Sequence, residues 1–234
     1  METRNCLVTG ANRGLGLEFT RQLLARGGRV VATCRHPGQA RSLNALAGEH
    51  PGRLRVMPLD VADPKSIAEL VRELPLLDDA LAIDLLVNCA GVLHSGERFG
   101  SIAAATLEDS FRTNAMGPLL LTQALAPRLA EGARVANISS VLGSIASTAR
   151  FGSPSYDISK AAQNMATALL AQALQPRGIV VLALHPGWAR TDMGGDKATV
   201  PVEDSVAGLL RAIDAARPAD SGSFRDWRGE ALPW

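Results

Sequence analysis

The sequence predicts an α/β fold, a doubly wound parallel sheet of about seven strands with helices on both faces. Two observations carry this expectation. Short apolar runs bounded by turn residues alternate with segments of helical period along most of the chain, the pattern of strands buried on both faces and joined by helical crossovers. The 234 residues, 47% hydrophobic and 20% charged, suit one α/β domain with a large core and argue against disorder. Residues 1–234 are therefore read as a single domain.

The first strand is expected at 5–9, where Cys6-Leu7-Val8 runs into a glycine-rich turn and then a helix at 14–25. Val30-Val31-Ala32 centres a second strand at 29–34, followed by a helix at 39–47. A third at 54–59 stops at Asp60, and Asp63-Pro64 opens a helix at 64–74 with Asp63 as the better cap. The fourth, 83–88, ends on Asn88-Cys89-Ala90-Gly91 and leads to a long helix at 106–129. Strands at 134–139 and 179–184 bracket a helix at 156–174, and a helix at 202–215 precedes a short strand at 223–225. Right-handed crossovers make this series a doubly wound sheet, whose ligand sits beyond the carboxyl ends of the strands where the order reverses. Two segments resist the alternation, 142–154 and 187–201; both follow strand ends, are rich in small residues and read as loops over a substrate.

Composition excludes several classes. With 24 basic and 23 acidic residues the net charge is +1, so no nucleic-acid partner is expected. The longest uncharged helical stretch, 161–176, is broken by Gln163, Asn164 and Gln172, which argues against a membrane span. The start of the chain lacks an apolar targeting region, and Cys6, Cys34 and Cys89 have no metal-type spacing. They read as small core residues of a cytoplasmic protein, with no metal.

Thr9-Gly10-Ala11-Asn12-Arg13-Gly14-Leu15-Gly16 carries the first chemical signal. Between a strand and a helix, its glycines permit a tight turn and close approach of backbone to a pyrophosphate at the helix N-terminus. Dinucleotide versions that prefer NAD place an acid at the end of the second strand; here it ends Thr33-Cys34-Arg35-His36. Arg35 and Arg13 suit a 2′-phosphate instead, so NADP(H) is expected, with NAD(H) as the alternative. The other reading of both arginines is solvated surface charge.

Tyr156 and Lys160 are four residues apart and share one helix face; Tyr156 is the only tyrosine in the chain. A nearby ammonium favours a phenolate, so the pair is expected to draw the phenol's pKa down toward a usable range.

The glycine turn, Asn88-Cys89-Ala90-Gly91, Thr113-Asn114, Asn137-Ile138-Ser139-Ser140, Tyr156-Asp157-Ile158-Ser159-Lys160 and Pro186-Gly187-Trp188-Ala189-Arg190-Thr191 occur in the order of the short-chain dehydrogenase/reductase family, which the chain resembles over nearly its whole length. Ser140-Val141-Leu142-Gly143-Ser144-Ile145 and Leu232-Pro233-Trp234 resemble its C-factor and Sniffer-type carbonyl reductase branch. The resemblance implies a Rossmann-type sheet and NADP(H)-dependent interconversion of a carbonyl and an alcohol. It also implies that Ser140 bonds the substrate carbonyl, Tyr156 donates the proton, Lys160 additionally holds the nicotinamide ribose and Asn114 completes a proton relay. Asp60 and Val61 would meet the adenine; Asn88, Ala90 and Gly91 would line the cofactor; Pro186, Gly187, Trp188, Ala189 and Thr191 would border the nicotinamide. The interval from Ser140 to Tyr156 is longer than in many relatives, so Ser139 competes for the serine role. His185 reads as structural, and His94 as either a substrate neighbour or a surface residue. The 188–201 loop has the glycines of a mobile lid. Relatives pair into homodimers or homotetramers through helices like 106–129 and 156–174. The alternative function is a C-factor-like signalling protein that binds NAD(P) with little catalysis; the turn spacing argues against an extended-family epimerase.

Overall fold

A computed structural model describes residues 4–77 and 82–234. Its strands are β1 (Asn5–Thr9), β2 (Arg29–Cys34), β3 (Leu54–Pro58), β4 (Ile83–Asn88), β5 (Leu129–Ile138), β6 (Val180–His185) and β7 (Phe224–Asp226). They form one seven-stranded sheet in the order β3-β2-β1-β4-β5-β6-β7, and every adjacent pair is parallel. The order reverses between β1 and β4. There the Thr9 hydroxyl accepts hydrogen bonds from the Cys89 and Ala90 amides, both 3.0 Å, tying the two strand ends together at the point where a ligand is expected.

The helices are α1 (Gly14–Ala25), α2 (Arg41–Glu49), α3 (Pro64–Leu77), α4 (Ala104–Phe111), α5 (Gly117–Leu125), α6 (Pro154–Leu174) and α7 (Val202–Ala215). Strand side chains alternate between two cores. Cys6, Val8, Leu182 and Leu184 join Phe19 and Leu23 of α1, Leu43 of α2 and Leu209 of α7 on one face. Leu7, Leu86, Val135 and Val181 meet Leu70 of α3, Leu121 of α5 and Leu170 of α6 on the other. Burial on both faces explains why these strands read as unbroken apolar runs.

The single helix expected at 106–129 is instead α4, a π turn (Arg112–Met116), α5 and a 3-10 turn (Ala126–Arg128). The wider π turn swings Asn114 inward to full burial, a side-chain requirement that helical periodicity does not display. Pro127 lies in the 3-10 turn, where its ring rules out further α-helix. Correspondingly β5 starts at Leu129, not 134. Leu129 pairs with Ile83 and Arg134 with Leu85, so the intervening Ala130-Glu131-Gly132-Ala133 forms an irregularity in the strand. Other ends move by three residues or fewer. Asp63 caps α3 through the Lys65 amide, 2.9 Å from its carboxylate. Among the described residues no helix is long and apolar enough to cross a membrane.

Candidate active site

One cavity of about 720 Å³ opens over the carboxyl ends of the strands, and all the expected site residues line it except Asn88 and Asn114. At one end lies the β1–α1 turn. Gly10 has φ +64°, and a β-carbon there would stand 2.8 Å from the Ala90 Cα. A β-carbon on Gly16 would overlap the Gly10 carbonyl oxygen. The turn is thus as close to β4 and to itself as backbone allows, leaving the space above it for a ligand. No side chain caps α1, and no acid lies in its first turn, so its N-terminal amides remain available to an anion.

Arg35 is exposed at the end of β2 and lines the cavity. Arg13 pairs with Asp192 of the β6–α7 loop at 3.3 Å, both side chains being largely exposed. An exposed pair of this kind contributes about 0–1 kcal/mol, so Arg13 can exchange it for a phosphate at small cost. Asp60 faces the cavity while its carboxylate accepts from the Ala62 amide at 2.9 Å. These features fit a phosphorylated dinucleotide.

At the other end Tyr156 and Lys160 project from the first turns of α6, both buried. The Lys160 ammonium donates to the Ile138 carbonyl at 2.7 Å and to Gln163 Oε1 at 2.9 Å, and lies 5.6 Å from the Tyr156 ring centre. An ammonium has three donors, so one remains. Ser140 lines the cavity beside Tyr156, and its hydroxyl pulls the phenol's pKa down. Ser139 lines the cavity too, but its hydroxyl donates to Asn164 at 2.6 Å.

The expected acidification of Tyr156 by Lys160 is not what this arrangement produces. Burial pushes the phenol up to about 12, against the pull of the Ser140 hydroxyl and with further upward pushes from Asp157 and Cys89. Burial likewise pushes Lys160 down to about 8. Desolvation disfavours each charged form and is the largest cause of both shifts. At neutral pH the phenol keeps its proton, the form a proton donor needs.

Asn88 and Asn114 sit behind the cavity wall. Asn88 donates to Asn137 at 2.8 Å and to Thr122 at 3.2 Å, which turns its amide away from the expected cofactor contact. The Asn114 side chain accepts from the Val92 amide and donates to the Val92 carbonyl, both 2.8 Å, and donates to Ser159 at 2.9 Å. Its three bonds pin the strand-exit segment to α6. Cys6 and Cys34 are buried, and Cys34 and Cys89 both border the cavity; burial pushes the Cys6 and Cys89 thiols up to about 12. His185 lines the cavity and burial pushes it down to about 4, so it is neutral. His94 does not line it and pairs with Asp109 at 2.8 Å.

The 187–201 loop is braced internally. The Arg190 amide donates to the Val200 carbonyl at 2.8 Å, and the Trp188 indole donates to the Gly194 carbonyl at 2.9 Å.

Two groups escaped the sequence reading. Gln163 holds Lys160, and a Tyr-x3-Lys pattern does not reveal its partner one further turn along the helix. Glu97, in the β4–α4 loop, accepts from the Ser155 amide at 3.2 Å and the Ser155 hydroxyl at 2.7 Å. It caps the start of α6 from 58 residues away, next to Tyr156, and no local pattern could show that.

The model of the family described as short chain dehydrogenase matches residues 4–200. The chain is 45% identical over 154 residues to the C-signal of Myxococcus xanthus, covering 65% of this chain and 93% of that one. Its fold matches an NADPH-bound carbonyl reductase from chicken fatty liver with a TM-score of 0.94 at 39% identity, over all of both chains. It matches the carbonyl reductase Sniffer of D. melanogaster with a TM-score of 0.95 at 30% identity, again over all of both.

Proposed function

Since this chain belongs to the short-chain dehydrogenase family, in its carbonyl reductase branch, we propose that it reduces a small carbonyl compound to an alcohol with NADPH. The carrying observation is the buried Tyr156–Ser140–Lys160 group at one end of a cavity whose other end is a glycine-rich turn with Arg35 beside it. The nicotinamide, when bound, supplies the hydride that goes to the carbonyl carbon. Ser140 donates a hydrogen bond to the carbonyl oxygen, and Tyr156 gives that oxygen its proton. Lys160 stabilises the negative charge left on the phenol, and its remaining N–H serves the nicotinamide ribose. A proton from solvent then restores the phenol. Asn114 positions the relay by bracing Val92 and Ser159, since both of its amide N–H donors are already used.

Arg35 and Arg13 together favour the 2′-phosphate, hence NADP(H) over NAD(H). The main test is spectrophotometric: NADPH consumption with a panel of aldehydes, ketones and quinones. Turnover of at least one supports the reading, and none across the panel opposes it. A second reading, a signalling protein that binds the dinucleotide with little turnover, rests on the identity to the C-signal; cofactor binding without turnover favours it.

The 187–201 loop closes over the nicotinamide in this reading, so NADPH should protect it from limited proteolysis; equal cleavage with and without cofactor opposes closure. Exposed Phe111 of α4 with Ile158, Met165 and Leu169 of α6 offers an apolar stripe for a homodimer or homotetramer. A monomer by light scattering at micromolar concentration opposes that. Three unpaired cysteines suit the reducing cytoplasm.

A further inference from the structure

We infer that the substrate carries a carboxylate, recognised by Arg150, on the far side of Tyr156 from the cofactor turn. This rests on the reductase reading for the reacting end and on an independent feature for the charged end. A second, smaller cavity of about 170 Å³ adjoins the large one, and the two share Val141, Leu142 and Arg150 in their walls. Arg150 therefore stands at the junction.

The cations lining the large cavity have distinct duties. Arg13 and Arg35 lie at the cofactor end, and Lys160 spends two of its donors on Ile138 and Gln163. Arg150 has no ion pair or hydrogen bond among the described residues, so its guanidinium fork is open. The walls leading to it are apolar, with Leu93, Leu142, Trp188 and Met193 in the large cavity. The small cavity is also mostly apolar, and Ser147, Thr148 and Ser153 add hydroxyls to its wall. An apolar body with a carboxylate at its end suits apolar walls that carry one open guanidinium, and a planar fork takes a carboxylate bidentately.

Asp157 also lines the small cavity and opposes an anion there. Burial pushes its carboxyl up, while the Ser153 amide and Arg150 pull it back. Arg150 is not within ion-pairing distance of it, so the substrate's anion does not have to displace an existing salt bridge. The long interval between Ser140 and Tyr156 thereby acquires a use: it builds this annex.

The test uses 4-formylbenzoate and its neutral methyl ester with the whole protein and NADPH. In the wild type kcat/KM should favour the acid. In Arg150→Met the acid-to-ester ratio should fall at least tenfold, through KM, with ester turnover retained; Arg150→Lys should recover part of the loss. An unchanged ratio in Arg150→Met overturns the inference. Calorimetric binding of 4-(hydroxymethyl)benzoate in the presence of NADPH, a pair with no hydride acceptor, reads the same site without turnover. Tenfold weaker binding in Arg150→Met supports the carboxylate site, and equal binding overturns it. If neither aldehyde nor any other carbonyl turns over while the binding difference persists, the reductase reading fails and the carboxylate site stands.

Discussion

The two ends of the cavity are built from different materials. At the cofactor end the walls are backbone: a glycine turn pressed against β4, amides of an uncapped helix and the end of β2. At the reacting end they are side chains held by other side chains, with Lys160 on Gln163, Asn114 on Ser159 and Glu97 on Ser155. Backbone geometry is set by a few consecutive residues, whereas the second kind of site needs partners distant in the chain. The first end should fail all at once when a β-carbon intrudes. The second should degrade in steps.

The largest effect expected from this contrast is at Gly10. Valine there would require both a left-handed backbone and room that Ala90 occupies, so Gly10→Val should weaken NADPH binding about 100-fold and lower the melting temperature. Isothermal titration reads it, and affinity within twofold of wild type would break the contrast. At the reacting end, Glu97→Ala should lower kcat about tenfold, because α6 loses its distant cap and Tyr156 its placement. Glu97→Gln keeps an acceptor and should recover most of the rate. NADPH affinity should stay unchanged in both, and a matching loss of affinity would mean that the two ends are not separable.

A comparable but cofactor-specific effect is expected at Arg35. Arg35→Ala should reduce the preference for NADPH over NADH about tenfold, measured as the ratio of kcat/KM values. An unchanged ratio would leave Arg35 a solvated charge. The smallest effect is in pH. Lys160, lowered to about 8, is protonated below that pH and loses its charge above it, whereas Tyr156, raised to about 12, stays protonated throughout. The kcat/KM for NADPH should therefore be level from about pH 6 to 7 and fall above about pH 8. A level profile to pH 9.5 would contradict the role given to the ammonium.

The same contrast governs what the sequence discloses. β1, α1, β2 and α7 are found where apolar period and turn residues put them, because their strands are buried on both faces and their boundaries are local. The glycine turn and the Tyr156–Lys160 pair are likewise legible, since spacing alone places them. The π turn around Asn114 is not, because it answers to Val92 and Ser159 rather than to its own helix. Nor is the orientation of Asn88, or the early start of β5, where a Gly132-centred irregularity resembles a loop. The direction of the Tyr156 shift was also hidden: attraction between the pair follows from four-residue spacing, but the larger cost of burying both groups is a property of the assembled fold.

The proton on Tyr156 is the centre of the account, and Tyr156→Phe tests it most directly because the substitution keeps the ring and removes only the hydroxyl. With a carbonyl substrate that the wild type turns over, kcat should fall about 100- to 10,000-fold while the NADPH dissociation constant stays within about twofold. Undiminished turnover by the phenylalanine variant, with cofactor bound as tightly as before, would contradict it.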